Sequence, residues 1–550
     1  MGIYINRGNL EFAENIASDY VDKTGLISVI NKRLFKQGRY SCVTRFRRSG
    51  KSMAAKMLYA YYDKSCDSRE LFKDLKIAQD ASFEKHLNKY NVLFLDVTSF
   101  TSQPKFHGRI VKSIQDAMME ELKAVFPQVT YKEDDDLMGC LQSIYRQTGE
   151  RFFFIIDEWD AICREFPTRQ KSKGSSLETY CPEMDEYIMF LRRLFKTDDS
   201  DLVFAGAYIT GILPIVKYQT ESALNNFWEY SMVDPGSLAP YFGFTKDEVH
   251  DLCNRNGMDF EEIQRWYDGY KIGDVPCIFN PSSVMKAIIR KRYNSYWAAT
   301  GAYDKVASYI NLNYEGLKDD VVKMLADVKC SVDPTGFAND MSSVNCKDDV
   351  FTVLIHLGYL AYDSDEGKCY IPNKEVAGEL VNAVKSNNWK EIVNIIQSSE
   401  QLLDATLSGD TEKVAGIIDT AHHENTSILS YNDENSLSCV LSIAYIYAKN
   451  DYIIHRELAT GKGFADLVFI PRKHLDSPEM IVELKYDKDA DTAISQIHRK
   501  DYKGKVLEYS DNLLLVGINY DKERFIQKRN KHLRKGDAYC SDRITLHHPI

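Results

Sequence analysis

Over the first three hundred residues, short apolar runs alternate with stretches whose apolar positions recur at helical spacing, the pattern of a mostly parallel α/β sheet. Candidate strands are Ser41 to Thr44, Val92 to Val97, Phe152 to Asp157 and Leu202 to Thr210. Each is a near-continuous apolar run, as expected of strands covered on both faces. After Gly211 the pattern changes to helix-forming segments broken by turn signals at Asp234-Pro235-Gly236 and Asn280-Pro281, which reads as a helical lid. Between Asp348 and Leu380 a helix precedes an apolar run at Tyr359 to Tyr362, a turn at Asp365-Glu366-Gly367 and a strand at Tyr370-Ile371, the outline of a winged helix. Asn388 to Ser430 reads as a polar helical connector. A last unit runs helix (Asn435 to Lys449), strands (Tyr452 to Glu457, Phe464 to Ile470, Met480 to Tyr486), helix (Asp489 to Tyr502) and strand (Asn512 to Tyr520).

These shifts divide the chain into 1–235, 236–385, 386–430 and 431–550. A length of 550 residues agrees, being too great for one ordinary core. Apolar residues at 44% and charged residues at 27% are a globular mix. A net charge of −11 excludes a protein that coats nucleic acid by bulk electrostatics, and leaves room for a local basic groove. The 12 cysteines form no CxxC pair, so neither a disulfide framework nor a zinc site is expected. There is no basic start followed by an apolar run and no span long enough for a membrane, and Asn6 stands where a myristoylation signal needs Ser or Thr. A cytoplasmic protein without membrane partners is expected.

The segment VTRFRRSGKSMAAKML sets Gly50, Lys51 and Ser52 between a strand and a helix. A turn there aims backbone N–H groups at an anion, Lys51 reaches the β and γ phosphates, and the Ser52 hydroxyl ligates Mg²⁺. Arg45 occupies the place of the usual first glycine. The strand ending in IIDEWD supplies the other half: Asp157 to hold Mg²⁺ through Ser52 or water, and Glu158 to polarise attacking water. Arg47 and Arg48 flank the loop and can neutralise phosphate, and Thr210 ends the next strand where a polar group can sense the γ phosphate. Arg192 and Arg193, on a helix, read as ordinary surface charge.

A second constellation lies near the end of the chain. Asp466 sits on the strand of GKGFADLVFI, and Glu483 and Lys485, two apart in MIVELKY, face the same side of theirs. Two hard oxygen ligands can hold Mg²⁺ or Mn²⁺, and a nearby Lys can orient water, a set suited to phosphodiester hydrolysis. Gln496 on the following helix can point into the same pocket, and Glu434 or Glu457 can add an acid. The apolar neighbours Ile481, Val482 and Leu484 mark a central strand, where charge is costly without a purpose.

Taken together these residues resemble the bacterial and archaeal AAA-ATPase-like proteins that carry a C-terminal nuclease domain of the PD-(D/E)XK superfamily. The resemblance rests on YVDKTGLI, TRFRRSGKS, IIDEWD, TGILPI, YFGFTKDEV, WYDGYKIG and FNPSSV, then LGYL, IPNKEV, DENS, GKGFADLVF, IVELKY and QIHRKDY, in family order across nearly the whole chain. That family's phosphate loop also lacks the first glycine. It usually has Pro at Phe46, Phe at Ser49 and Arg at Phe464, and the last departure bears on substrate contact more than on metal binding. The resemblance implies an ATP-binding ASCE/AAA-like P-loop core, a winged-helix-like middle and a restriction-endonuclease-like α/β domain. Its expected ligands are ATP, Mg²⁺ and a nucleic acid, DNA favoured, with oligomerisation open and roles in defence or mobile elements suggested by analogy. Three outcomes remain: ATP-regulated cleavage, a non-cleaving nucleotide switch that binds DNA or a protein partner, and a nuclease that has lost ATP hydrolysis.

Overall fold

The structure is a computed structural model. It describes residues 2–550 apart from 18, 167–168, 174–175, 216, 219–220, 223, 298–302, 313, 339–343, 387–389, 426–433, 461–462, 473–476, 487–492, 494–495, 497–511, 521–543 and 548–550. The chain forms two compact units. One comprises Met1–Gly301 with Ser331–Glu379, the other Ala302–Cys330 with Leu380–Ile550.

The first unit is built on a five-stranded sheet of β1 (Tyr40–Thr44), β2 (Asn91–Asp96), β3 (Phe152–Asp157), β4 (Phe204–Gly211) and β5 (Trp228–Tyr230), ordered β2-β3-β4-β1-β5. Every pairing is parallel. Alternate side chains serve two cores: Leu93, Leu95, Phe154 and Ile156 belong to one apolar cluster, while Val92, Phe94, Phe153 and Ile155 belong to the other. That double burial explains why these strands read as unbroken apolar runs. Helix α1 (Lys51–Tyr62) follows β1 and buries Ala54, Ala55, Leu58 and Tyr62. Its Tyr62 ring lies 4.3 Å from that of Phe153.

Beyond β5 the lid is not wholly helical. Helices α2 (Lys246–Asn256), α3 (Phe260–Tyr267) and α4 (Pro281–Arg290) enclose a small antiparallel sheet of β6 (Tyr270–Ile272), β7 (Val275–Phe279) and the short strand Phe244–Thr245. The hairpin turns at Gly273, which takes φ +56°. Thr245 and Glu248 form a reciprocal capping box on α2, and Asn280 caps α4 through Ser282 and Ser283 N–H. Helix α5 (Lys347–Leu357) then leads into the hairpin β8 (Ala361–Asp363) and β9 (Lys368–Tyr370), followed by α6 (Lys374–Ser386).

In the second unit, α7 (Lys390–Ser408) and α8 (Thr411–Asn425) occupy the segment read as a connector and bury Leu402, Leu403, Val414 and Ile418. Helix α9 (Glu434–Ala444) precedes a mixed sheet of β10 (Tyr452–Thr460), β11 (Gly463–Pro471), β12 (Glu479–Tyr486), β13 (Leu513–Tyr520) and β14 (Ile544–His547), in that order. Its β12–β13 pair is parallel and the other pairs are antiparallel. The expected helix from Asp489 to Tyr502 lies mostly outside the described residues. Among the described residues, no helix is long and apolar enough to cross a membrane.

Candidate functional sites

The phosphate loop runs from Arg45 to Gly50 between β1 and α1. Gly50, at φ +99°, takes the left-handed conformation that starts the helix without a steric cost. Lys51 is 4% exposed, and its ammonium donates to the carbonyls of Arg45 and Phe46, at 3.0 Å each. Burial lowers its pKa, while the carboxylates of Glu158, Asp157 and Asp160 pull it back up. Asp157 meets the Ser52 hydroxyl, and burial pushes its pKa up to about 6 against that contact. This serine and aspartate form an oxygen donor pair whose chemistry fits Mg²⁺.

The side chains of this loop are tied down on the side away from α1. Arg45 is fully buried and donates from Nη1 to the carbonyls of Thr44, Tyr230 and Ser231 at 2.8–2.9 Å. In place of a glycine, then, stands a guanidinium that anchors the loop to β5. Phe46 stacks on Tyr270 with ring centroids 4.5 Å apart, and the Ser49 carbonyl accepts from Gly243 N–H at 2.8 Å. Arg48, left-handed at φ +66°, donates to the Tyr296 carbonyl at 2.7 Å. The N–H groups of Tyr296 and Trp297 in turn donate to the buried Glu375 carboxylate, which also accepts from Ser283. The peptides at 296–297 are thus held from both sides, by the loop and by α6.

A cavity of about 490 Å³ opens beside the loop. Arg48, Ser49, Gly50, Lys51, Ser52 and Glu158 line it together with the polar Asn15, Asp19 and Lys23 and the apolar Tyr20, Met53, Met57, Phe244, Met285 and Ile289. Ile289 and Met53 are exposed. The volume falls in the range of about 300–1,000 Å³ usual for small-molecule sites. Of the residues expected at the nucleotide, Arg47, Asp157 and Thr210 do not line this cavity, and Asp157 and Thr210 are buried. Arg192 and Arg193 are exposed, and Arg193 pairs with Asp136 at 2.9 Å.

In the second unit, β11 and β12 pair through Leu467 and Val482 and then part. One step further, Asp466 stands on β11 and Glu483 on β12, and the Asp466 carboxylate accepts from Leu484 N–H at 2.7 Å. A side chain thus takes the place of a main-chain acceptor for this N–H. Glu483 is 1% exposed and its Oε1 accepts from Lys485 Nζ at 3.2 Å and from the Gln496 amide. Lys485 also donates to the Leu484 carbonyl at 2.6 Å. The structure therefore brings Asp466, Glu483, Lys485 and Gln496 to one splayed point in the sheet. Two carboxylates beside a main-chain carbonyl are hard oxygen donors of the kind Mg²⁺ and Mn²⁺ take. Among the described residues no group of three or more His, Cys, Asp or Glu side chains is gathered for a metal, and the side chains of Glu434 and Glu457 lie outside the described residues. Glu479, which gave no signal in the sequence, is fully buried at the start of β12, and burial pushes its pKa up to about 7.

A strand, phosphate loop and helix on a parallel sheet, with an acid-ended strand one place removed across β4, define a P-loop nucleotide-binding class. Residues 10–220 match the family described as predicted AAA-ATPase, and residues 433–530 match the PD-(D/E)XK nuclease superfamily. The chain therefore carries an AAA-ATPase-like domain joined to a C-terminal domain of the PD-(D/E)XK nuclease superfamily. It is 23% identical over 533 residues to an uncharacterized protein in the vnfD 5′ region of Azotobacter chroococcum mcd 1, covering 92% of this chain and 93% of that one. Among solved structures, the Walker-type ATPase of Pyrococcus abyssi aligns at 12% identity with a TM-score of 0.31, over 66% of this chain and 97% of that one. The Aeropyrum pernix ORC1 protein in complex with DNA aligns at 12% identity with a TM-score of 0.21, over 70% and 98%.

Proposed function

We propose that this protein binds and hydrolyses ATP in its first unit and cleaves nucleic-acid phosphodiesters, DNA by preference, in its second, with nucleotide state regulating cleavage. The observation that carries the reading is the splayed end of β11 and β12, which gathers Asp466, Glu483 and Lys485. In it, Asp466 and Glu483 hold Mg²⁺ or Mn²⁺, Lys485 orients the attacking water and offsets charge on the phosphate, and Gln496 keeps Glu483 in place. A divalent cation there lowers the pKa of bound water and neutralises developing negative charge.

The cavity of the first unit supports a nucleoside triphosphate because the phosphate loop and several large apolar side chains line the same space. Gly50 and Lys51 receive the polyphosphate, Ser52 and Asp157 hold Mg²⁺, and Glu158 polarises water. Tyr20, Met57 and Ile289 supply an apolar seat for the base. Arg48, engaged with Tyr296, braces the loop and neutralises phosphate from its edge, while Arg47, which does not line the cavity, contributes at most long-range charge. Thr210 senses the γ phosphate through the turn that follows it.

The test is full-length protein with plasmid, linear duplex, single-stranded DNA and RNA, with Mg²⁺ or Mn²⁺, with and without ATP. Metal-dependent cleavage that disappears in Asp466→Ala is expected, and equal cleavage by the two proteins would end the nuclease reading. A non-cleaving nucleotide switch is the second reading, favoured by the fact that Glu483 is already engaged by Lys485 and Gln496. ATP binding that depends on Lys51, with no cleavage of any of these substrates, would select it.

A further inference from the structure

Two charged residues beside the ATP site have no role in the account above. Asp160, two residues beyond Glu158, is fully buried. Its Oδ2 accepts from Ile212 N–H at 3.2 Å and Leu213 N–H at 2.9 Å, in the turn that follows Thr210, and pairs with Arg164 Nε at 3.0 Å. Arg164, 8% exposed, pairs through Nη2 with Glu158 Oε2. Glu158 is itself left-handed at φ +52° and is the acid of IIDEWD that lines the cavity. One buried carboxylate thus fixes the turn after Thr210 and a guanidinium, and the guanidinium fixes Glu158.

We propose that Arg164 is the positioning residue for Glu158, holding its carboxylate where it polarises water and linking that orientation, through Asp160, to the turn after Thr210. The assignment rests on the reading of the first unit as an ATPase. Arg164 does not serve as a phosphate ligand, because swinging into the cavity would break its contact with the fully buried Asp160 carboxylate, and parting a buried ion pair is strongly unfavourable. Removing the guanidinium frees Glu158 to leave the position while Gly50, Lys51 and Ser52 stay as they are. Turnover should fall and affinity should not.

The experiment measures ATP affinity by calorimetry, and kcat and KM for phosphate release, on full-length wild type, Arg164→Met, Arg164→Lys, Glu158→Gln and the Arg164→Met/Glu158→Gln double variant. Arg164→Met should lower kcat by about twentyfold or more and leave Kd within about threefold, and Arg164→Lys should recover most of the loss. The double variant should be no slower than Glu158→Gln alone, because both changes remove one function. If Arg164→Met fails to fold, Arg164→Gln, which keeps an amide donor for Asp160, takes its place with the same expectations. Turnover by Arg164→Met at the wild-type rate, or losses that multiply in the double variant, would overturn the assignment alone. Wild type that binds ATP and releases no phosphate would overturn the ATPase reading and this assignment with it.

Discussion

Lys51 shows how much a single side chain commits to this fold. An ammonium that is 4% exposed and bonded to two carbonyls of its own loop has already left bulk water, so a phosphate that displaces those carbonyls recovers a charge-assisted bond at small reorganisation cost. Lys51→Ala should weaken ATP binding by about 10- to 100-fold, the worth of roughly 1.5–3 kcal/mol, as read by calorimetry. Glu375 makes a different commitment. Burial pushes its pKa up to about 6, although the N–H groups of Tyr296 and Trp297 and the Ser283 hydroxyl favour the charged form. The folded state therefore binds the proton more tightly than the unfolded one. Stability from this group is full below the unfolded value near 4.5 and is lost as pH rises through about 6. Glu375→Gln should flatten the fall in melting temperature between pH 5 and 7, whereas a slope equal to that of wild type would show that the group does not titrate there. Asp160, Arg164 and Glu375 were not legible in the sequence, because each acts on residues 52 to 92 positions away, or on a neighbour whose role depends on such contacts. Asp466, Glu483, Lys485 and Lys51 were legible because their chemistry shows in residue type and short spacing.

Among the elements, the four strands expected in the first unit lie within about two residues of their observed ends, since strands buried on both faces leave unbroken apolar runs. The lid hairpin Tyr270–Ile272 and Val275–Phe279 was hidden by its length and by a mixed burial pattern with no clean alternation. Strand β5, three residues long, is too short to show a pattern of its own and is placed by its pairing with β1. Helices α7 and α8 read as polar because each shows the core only one stripe. Two elements lend themselves to measurement. Where β11 and β12 part, the Asp466 carboxylate serves Leu484 N–H, so Asp466→Ala strips a strand of its acceptor while Asp466→Asn keeps one. Denaturant unfolding should show Asp466→Ala less stable by about 1–2 kcal/mol and Asp466→Asn close to wild type, although neither variant should cleave. At the turn after β4, a Cβ on Gly211 would lie 2.5 Å from Asp160 Oδ1 and 2.6 Å from the Trp159 ring. Gly211→Ala should therefore destabilise the first unit by about 1–3 kcal/mol and weaken ATP binding, since the Gly211 carbonyl receives the Arg45 N–H at the start of the loop.

For the whole molecule, one chain joins a cavity lined by a phosphate loop to a sheet that carries two carboxylates and a lysine on adjacent strands. The loop is tied, through Arg45, Phe46 and Arg48, to β5, β6 and the peptides that Glu375 holds. The most direct measurement is the Mn²⁺-dependent rate of plasmid nicking as ATP is titrated, for wild type beside Lys51→Ala. The account predicts a wild-type rate that changes about fivefold or more with a midpoint at the ATP Kd, and a Lys51→Ala rate that stays at its basal value. A wild-type rate indifferent to ATP, or a response that survives in Lys51→Ala, would contradict it.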